Sequence, residues 1–368
     1  MPLRALARVN LGAIERNVTL LRASLQGSAE LCAVVKADGY GHGAAQSAQA
    51  ALAGGASWLA VATADEAAEL RSYGIEARIL VMGALSLREL PVALEADADV
   101  VAWDERFVRE LAVAARDRPA RVHVKLDTGR GRRGTRSEEE ALAVAERIAG
   151  AGPALQLVGA MTHFATADGD LDFVDHQRRA FEHFMAILRA RDPAIVVHAA
   201  NSAATLRSRT SHFDLVRCGV AIYGLDPMNQ DAARRGLEPS LALTSYIAAV
   251  KLARRGDSAG YGRRFVAEGD TWIATLPIGY GDGFRRAFTN NCDVLVGGAP
   301  YPLVGTVSMD NITIDVGPEP RVEVGELATL IGRDGAERQT AEDLANRIGT
   351  INYEIVCGIS SRVPREYR

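Results

Sequence analysis

The chain is poor in the features that would place it in several broad classes. It has only four cysteines, Cys32, Cys218, Cys292 and Cys357, and none belongs to a CxxC pair. That spacing argues against a zinc knuckle and against a disulfide framework. No stretch approaches the roughly 20 consecutive apolar residues needed to span a bilayer. The opening MPLRALARVNLGAIERNV has no uninterrupted apolar core and no small-residue cleavage site, so no secretion signal is read there and a cytoplasmic protein is expected. A net charge of −4 supplies no general attraction to nucleic acid or to anionic membrane. What remains is a normal globular mixture, 48% hydrophobic and 24% charged, spread over 368 residues. That length exceeds what one hydrophobic core usually supports, so two domains are expected.

From about residue 30 to 225, short apolar runs alternate with amphipathic stretches. LCAVVK, SWLAV, RILVM, ADVVA, RVHVKLD, LQLVGAMTHF, AIVVHAA and a run near DLVRCGVAIYG read as strands. Helical stretches between them include TADEAAELRSYG, DERFVRELAVAARD, SEEEALAVAERIAG and VDHQRRAFEHFMAILRARD. Strands alternating with such helices predict a parallel sheet with right-handed crossovers. Eight strands make a closed (β/α)8 barrel the expected form, over residues 9–230. After about Asp231 the texture changes to short strands broken by Gly, Pro and Asp turns, with only AEDLANRIG clearly helical. Residues 231–368 therefore read as a mostly β C-terminal domain, which residues 1–8 could join as an extra strand.

The strongest local signal is AVVKADGYGHG, residues 33–43. Lys36 ends an apolar strand and a Gly-rich turn follows at once. The C-terminal mouth of a barrel strand is where active-site residues sit. An isolated lysine there would be read as a side chain snorkelling to water. Gly39, Gly41 and Gly43 point elsewhere, because they let backbone approach a ligand closely.

VVKADGYGHG resembles the cofactor-lysine motif of alanine racemases. Eight more strings match in the family's order: LDTGRGRRG at 126–134, THFATAD at 162–168, HAANSAA at 198–204, VRCGVAIYGL at 216–225, AGYGRRF at 259–265, LPIGYGDGF at 276–284, GTVSMDNITID at 305–315 and INYEIVCGISSRVPR at 351–365. The resemblance implies an α/β barrel with a β domain, pyridoxal 5′-phosphate, alanine as substrate, and a homodimer whose two sites are shared. It also implies D-alanine supply for peptidoglycan.

By that resemblance Lys36 holds the cofactor as a Schiff base and then serves as one base. The opposite face needs a second proton carrier, which the family places at the position of Tyr261, in the partner subunit. A phenol with an ordinary pKa of about 10 is a poor base, so a cationic neighbour is expected, namely Arg132, which also meets the substrate carboxylate. The phosphate falls to Tyr40, Ser202, Gly219, Val220 and Tyr353. For Ser202 alone the ordinary role is the N-cap of a helix beginning SAATLRS. Arg217 is the family's donor to the pyridine nitrogen, where its permanent charge disfavours protonation of the ring. His163 is then expected near the ring, donating toward Arg217. Lys125 matches a lysine often carbamylated in relatives; the alternative is an amine paired with Asp127. Met309 and Asp310 fall in the segment that contacts the substrate carboxylate through its backbone, and Tyr280 and Tyr353 are expected to narrow the entrance. Ser308 and Arg130 depart from the commonest family residues, a cysteine and a methionine.

Competing readings are a racemase of serine, of basic amino acids or of a broad range, and a non-catalytic pyridoxal-phosphate carrier. A pyridoxal-dependent decarboxylase would lack the Tyr261 motif. A zinc-dependent dehydratase would need a His/Cys pair near the C-terminus, and no histidine follows His212. No metal is expected.

Overall fold

A computed structural model describes residues 3–116 and 118–368. Met1, Pro2 and Asp117, the last residue of the stretch DERFVRELAVAARD, lie outside the described residues. The chain divides into two compact units, Ile14–Met228 and the residues up to Ala13 together with Asn229–Arg368.

The N-terminal segment supplies β1 (Leu6–Val9), which belongs to the second of these units. The unit Ile14–Met228 is built on eight parallel strands: β2 (Glu30–Val34), β3 (Trp58–Val61), β4 (Arg78–Val81), β5 (Ala98–Ala102), β6 (Ala120–Lys125), β7 (Leu155–Met161), β8 (Val196–His198) and β9 (Leu215–Cys218). Their order is β8-β7-β6-β5-β4-β3-β2-β9, so neighbours in sequence are neighbours in space except across the closing edge. There a single bridge joins Asn201 to Arg217, with Arg217 N donating to Ala200 O at 2.9 Å. The eight strands form a nearly closed barrel, and Arg217 stands on its seam.

Parallel strands covered by helices are buried on both faces, which is why WLAV and ADVVA carry no alternation and are buried throughout. Helix starts are set by local chemistry. Thr63, Asp104, Ser137 and Asp170 each accept a hydrogen bond from a backbone N–H three residues on. Three helices escape the sequence reading: Leu11–Ala23, Ala44–Ala53 and Leu90–Glu95. The second is six parts alanine in ten, with no sharp polar face to give it away.

In the other unit, β1 runs antiparallel to Leu241–Tyr246 and parallel to Arg365–Tyr367. The run LALTSYIAAVKLARRG, read as one strand, is two: Leu241–Tyr246 pairs with β1, while Ala249–Ala253 pairs in a separate sheet with Thr271–Leu276. AEDLANRIG is helical over Ala341–Arg347, and Asn352–Cys357 forms a further short helix.

Candidate active site

Lys36 follows Val35 directly beyond β2, at the C-terminal end of the barrel strands. It opens a single turn, Lys36–Gly41, of the wrong hand for L-residues. Ala37, Asp38, Gly39 and Tyr40 have φ of 52°, 52°, 59° and 54°. A left-handed residue other than glycine costs about 1–2 kcal/mol, so this turn must be held by its surroundings. Gly39 N donates to Val35 O at 2.9 Å, Gly43 N to Asp38 O at 2.9 Å, and Ala44 N to the Asp38 carboxylate at 3.0 Å. Glu66 supplies the remaining clamp. One carboxylate oxygen accepts from Ala37 N at 2.7 Å; the other accepts from Ala62 N at 2.7 Å and Thr63 N at 3.1 Å. Glu66 is thus both the capping-box partner of Thr63 and the brace of the lysine's turn. The spacing T-x-x-E announces the first role; the second depends on β2 and β3 being neighbours.

Arg217 is 2% exposed, and among the described residues no carboxylate touches it. Its Nη1 donates to His198 Nδ1 at 2.8 Å, and its Nη2 lies within reach of Thr162 O at 3.0 Å, Ala199 O at 3.1 Å and His163 Nδ1 at 3.2 Å. Burial pulls its pKa down to about 10, still well above neutrality. Of its three nitrogens, Nε is buried with no partner among the described residues. The contact with His163 corrects the expected direction: a guanidinium has donors only, so the imidazole accepts through Nδ1. Burial, then the Arg217 charge, hold His163 and His198 well below the ordinary histidine range, which keeps both rings neutral.

Lys125 is the last residue of β6 and 6% exposed. Burial first, then Arg217, Arg132 and Arg133, bring its pKa to about 8. The pairing with Asp127 is not made among the described residues. The Asp127 carboxylate is instead spent on its own loop, accepting from Gly129 N, Arg130 N and Gly131 N at 3.1, 2.7 and 2.8 Å. Arg132 is exposed in that loop, and Arg130 donates to Phe164 O at 3.0 Å.

The N-cap of helix Ser202–Arg207 is Asn201, whose side chain accepts from Ala204 N; Ser202 is the first helical residue. This corrects the capping role considered for Ser202. Its hydroxyl instead faces Gly219 N at 2.9 Å and Ala221 N at 3.4 Å, joining the turns after β8 and β9. A Cβ on Gly219 would lie 2.4 Å from the Tyr40 hydroxyl, so only glycine permits that approach. Tyr40, Ser202, Gly219 and Val220 therefore meet in one buried corner of the barrel mouth.

Tyr261, Tyr280, Met309 and Tyr353 lie in the other unit. Tyr261 is 75% exposed, beside a hollow of about 330 Å³ lined by Gly260, Thr306, Ser308 and Asn311. The segments of Tyr280 and Met309 are stitched together: Tyr280 N donates to Ser308 O at 3.0 Å and Gly281 N to Met309 O at 2.9 Å. Tyr280 and Met309 are exposed, and Tyr353 is half-buried. Asp310 is taken by Arg362 at 2.6 Å, and Ser308 folds back on Asn311. Among the described residues no group of three or more His, Cys, Asp or Glu could hold a metal ion, and no helix is long and apolar enough to cross a membrane.

A nearly closed parallel barrel with a lysine at its mouth, followed by a β unit, defines an α/β enzyme class, and comparison with known proteins makes it specific. The family description "Alanine racemase, N-terminal domain" matches residues 9–227, and "Alanine racemase, C-terminal domain" matches residues 240–367. Alanine racemase 1 of Bacillus subtilis is 40% identical over 98% of this chain and 92% of its own length. Alanine racemase of Frankia casuarinae is 41% identical over 99% and 96%. The crystal structure of alanine racemase from a D-cycloserine-producing Streptomyces lavendulae superposes with a TM-score of 0.94 at 38% identity, covering 100% of this chain and 98% of that one. That of Bacillus anthracis, with bound L-Ala-P, gives 0.93 at 38% identity over 100% and 96%. The chain belongs to the alanine racemase family, and is an amino-acid isomerase by that membership.

Proposed function

We propose that this chain interconverts L- and D-alanine with pyridoxal 5′-phosphate held at Lys36, by a two-base mechanism shared between the subunits of a homodimer. The observation that carries the cofactor is Arg217 Nε, a buried donor with every neighbouring nitrogen already spent. Such an orphan suits an acceptor such as a ring nitrogen. The Tyr40, Ser202, Gly219 and Val220 corner suits a phosphate, offering hydroxyls and backbone N–H groups with no lysine or arginine among them. Bound there, pyridoxal phosphate supplies the electron withdrawal that makes the substrate α-proton acidic.

Lys36 would hold the cofactor aldehyde through its amine, with water as the leaving group, and its free amine would accept or return a proton at Nζ on one face of the α-carbon. Tyr261 of the partner subunit serves the other face at its Oη. Its 75% exposure in one chain supports a role completed by association, as do the neighbouring exposed Tyr280 and Met309. Arg132 orients the substrate carboxylate. Arg217 keeps a cation against the ring nitrogen, disfavours its protonation, and so favours return of the proton to the α-carbon over transamination. At Lys125 the neutral amine adds to carbon dioxide with release of one proton, giving an anion that Arg132 attracts. The lowered pKa supports this by raising the neutral fraction. In the cell, a cytoplasmic enzyme of this kind provides D-alanine for peptidoglycan. Incubation with a panel of amino acids in deuterated water tests the reading. Inversion of alanine with α-deuterium uptake is expected; a panel in which only a larger amino acid inverts would reassign the substrate.

A further inference from the structure

The barrel interior contains a row of polar groups that the reaction does not touch. Asp99 is fully buried near the N-terminal end of β5, where Arg78 and Arg121 both donate to its carboxylate. Arg78 in turn lies over the Trp58 ring at 4.0 Å. On the inner side, His123 Nε2 meets Asp99 Oδ2 at 2.9 Å. His123 Nδ1 meets His198 Nε2 at 2.9 Å, and His198 Nδ1 meets Arg217 Nη1 at 2.8 Å. The row thus climbs from one end of the barrel to the other, through β5, β6, β8 and β9.

We propose that Asp99, His123 and His198 form a one-way hydrogen-bond relay that positions Arg217, and that Gly159 is the vacancy that makes the relay possible. The direction follows from the end groups. Arg217 has only donors, so His198 Nδ1 is bare and a neutral ring carries its proton on Nε2. That proton is donated to His123 Nδ1, which is therefore bare, and His123 carries its own proton on Nε2 and donates it to Asp99. Every link is satisfied in this sense and in no other. Burial lowers the pKa of both imidazoles, which keeps each to one proton. Asp99, which burial alone would push up, is held down to about 2 by the hydrogen bonds from His123 and Arg78 and by the Arg78 charge, and stays an acceptor.

The two imidazoles come from strands that do not adjoin, because β7 runs between β6 and β8. Gly159 of β7 pairs with His123 on one side and Val196 on the other. A Cβ there would lie 2.0 Å from His123 Nδ1, inside the relay itself. The result at the far end is specific: both terminal nitrogens of Arg217 are tied down, and Nε is the one left to face a ligand. Asp99, His123 and His198 are positioning residues. Their value to the reaction rests on the reading of Arg217 given above, whereas the relay itself does not.

The test is nitrogen-15 NMR of histidine-labelled, pyridoxal-phosphate-loaded full-length protein. His123 and His198 are expected neutral, each protonated on Nε2 with Nδ1 bare. A doubly protonated ring, or an Nδ1–H tautomer at either position, overturns the proposal. Gly159→Ala is expected to remove the coupling between the two rings and to raise the ratio of pyruvate formed to alanine inverted by about tenfold, the size of one charge-assisted hydrogen bond lost. Unchanged ring coupling and an unchanged product ratio in Gly159→Ala would also overturn it. Protein that shows the expected tautomers but binds no pyridoxal phosphate keeps the relay and removes the functional reading instead.

Discussion

The two units treat their chemical residues in opposite ways. The barrel unit buries its ionisable groups: Arg217, Lys125, Asp99, His123 and His198 are all at most 6% exposed. The β unit displays its residues, with Tyr261 75%, Met309 52% and Tyr280 43% exposed. In the barrel, desolvation sets protonation states, which is why a lysine falls to about 8 and two histidines are held neutral. In the β unit Tyr261 has no such enclosure within one chain, and its surroundings are left to whatever covers it. A buried group brings its environment with it; an exposed one waits for a partner.

The most severe way to break the barrel side is Lys36→Ala. Visible cofactor absorption and alanine inversion are both expected to vanish, and a variant that kept colour and full rate would end the assignment. The β side breaks differently. Tyr261→Ala should be inactive alone, yet mixing it with Lys36→Ala and allowing subunit exchange should restore up to about a quarter of the activity, because about one dimer in two is mixed and each mixed dimer carries one intact site of two. Demonstrated mixed dimers with no recovery would show that the two residues do not share a site.

Charge reversal at Arg217 sharpens the comparison. Arg217→Glu places an anion where a cation stood, so the ring nitrogen should hold a proton. The rate is expected to fall by about a hundredfold, roughly the loss of one buried charge interaction. Pyruvate should rise relative to inverted alanine, and a new long-wavelength absorption band should appear with alanine. Folded, cofactor-loaded variant with the wild-type spectrum and ratio would separate Arg217 from the ring.

The smallest effect concerns Lys125. Labelled bicarbonate should give a carbamate carbon signal in the wild type that Lys125→Met lacks, and stripping carbon dioxide should lower activity severalfold. Sign follows from a folded pKa near 8, below the ordinary 10.5. Between those values the unfolded chain binds more protons than the folded one, so the unmodified lysine is least costly above about pH 10 and most costly below about pH 8. Lys125→Met should therefore raise the thermal midpoint more at pH 6.5 than at pH 10.5; equal gains would mean that the amine is not held neutral.

Much of this protein can be read from its letters. Eight apolar runs between helices announce the parallel barrel because strands buried on both faces need no alternation, and VVKADGYGHG marks a lysine at a strand mouth. Helix Ala44–Ala53 stayed hidden because alanine packs closely without advertising a face. The direction of the His163 contact, the spending of Asp127 on its loop and the cap at Asn201 depended on which atoms met, and spacing does not carry that. The division is sharpest at residues far apart in the chain. Periodicity and side-chain chemistry alone dictate strand type and the identity of the reactive groups. Packing in three dimensions sets Glu66 as the brace of the Lys36 turn and brings Asp99, His123, Gly159, His198 and Arg217 into one line. Lateral order in a closed sheet joins residues more than a hundred positions apart, and no local pattern encodes such a neighbour.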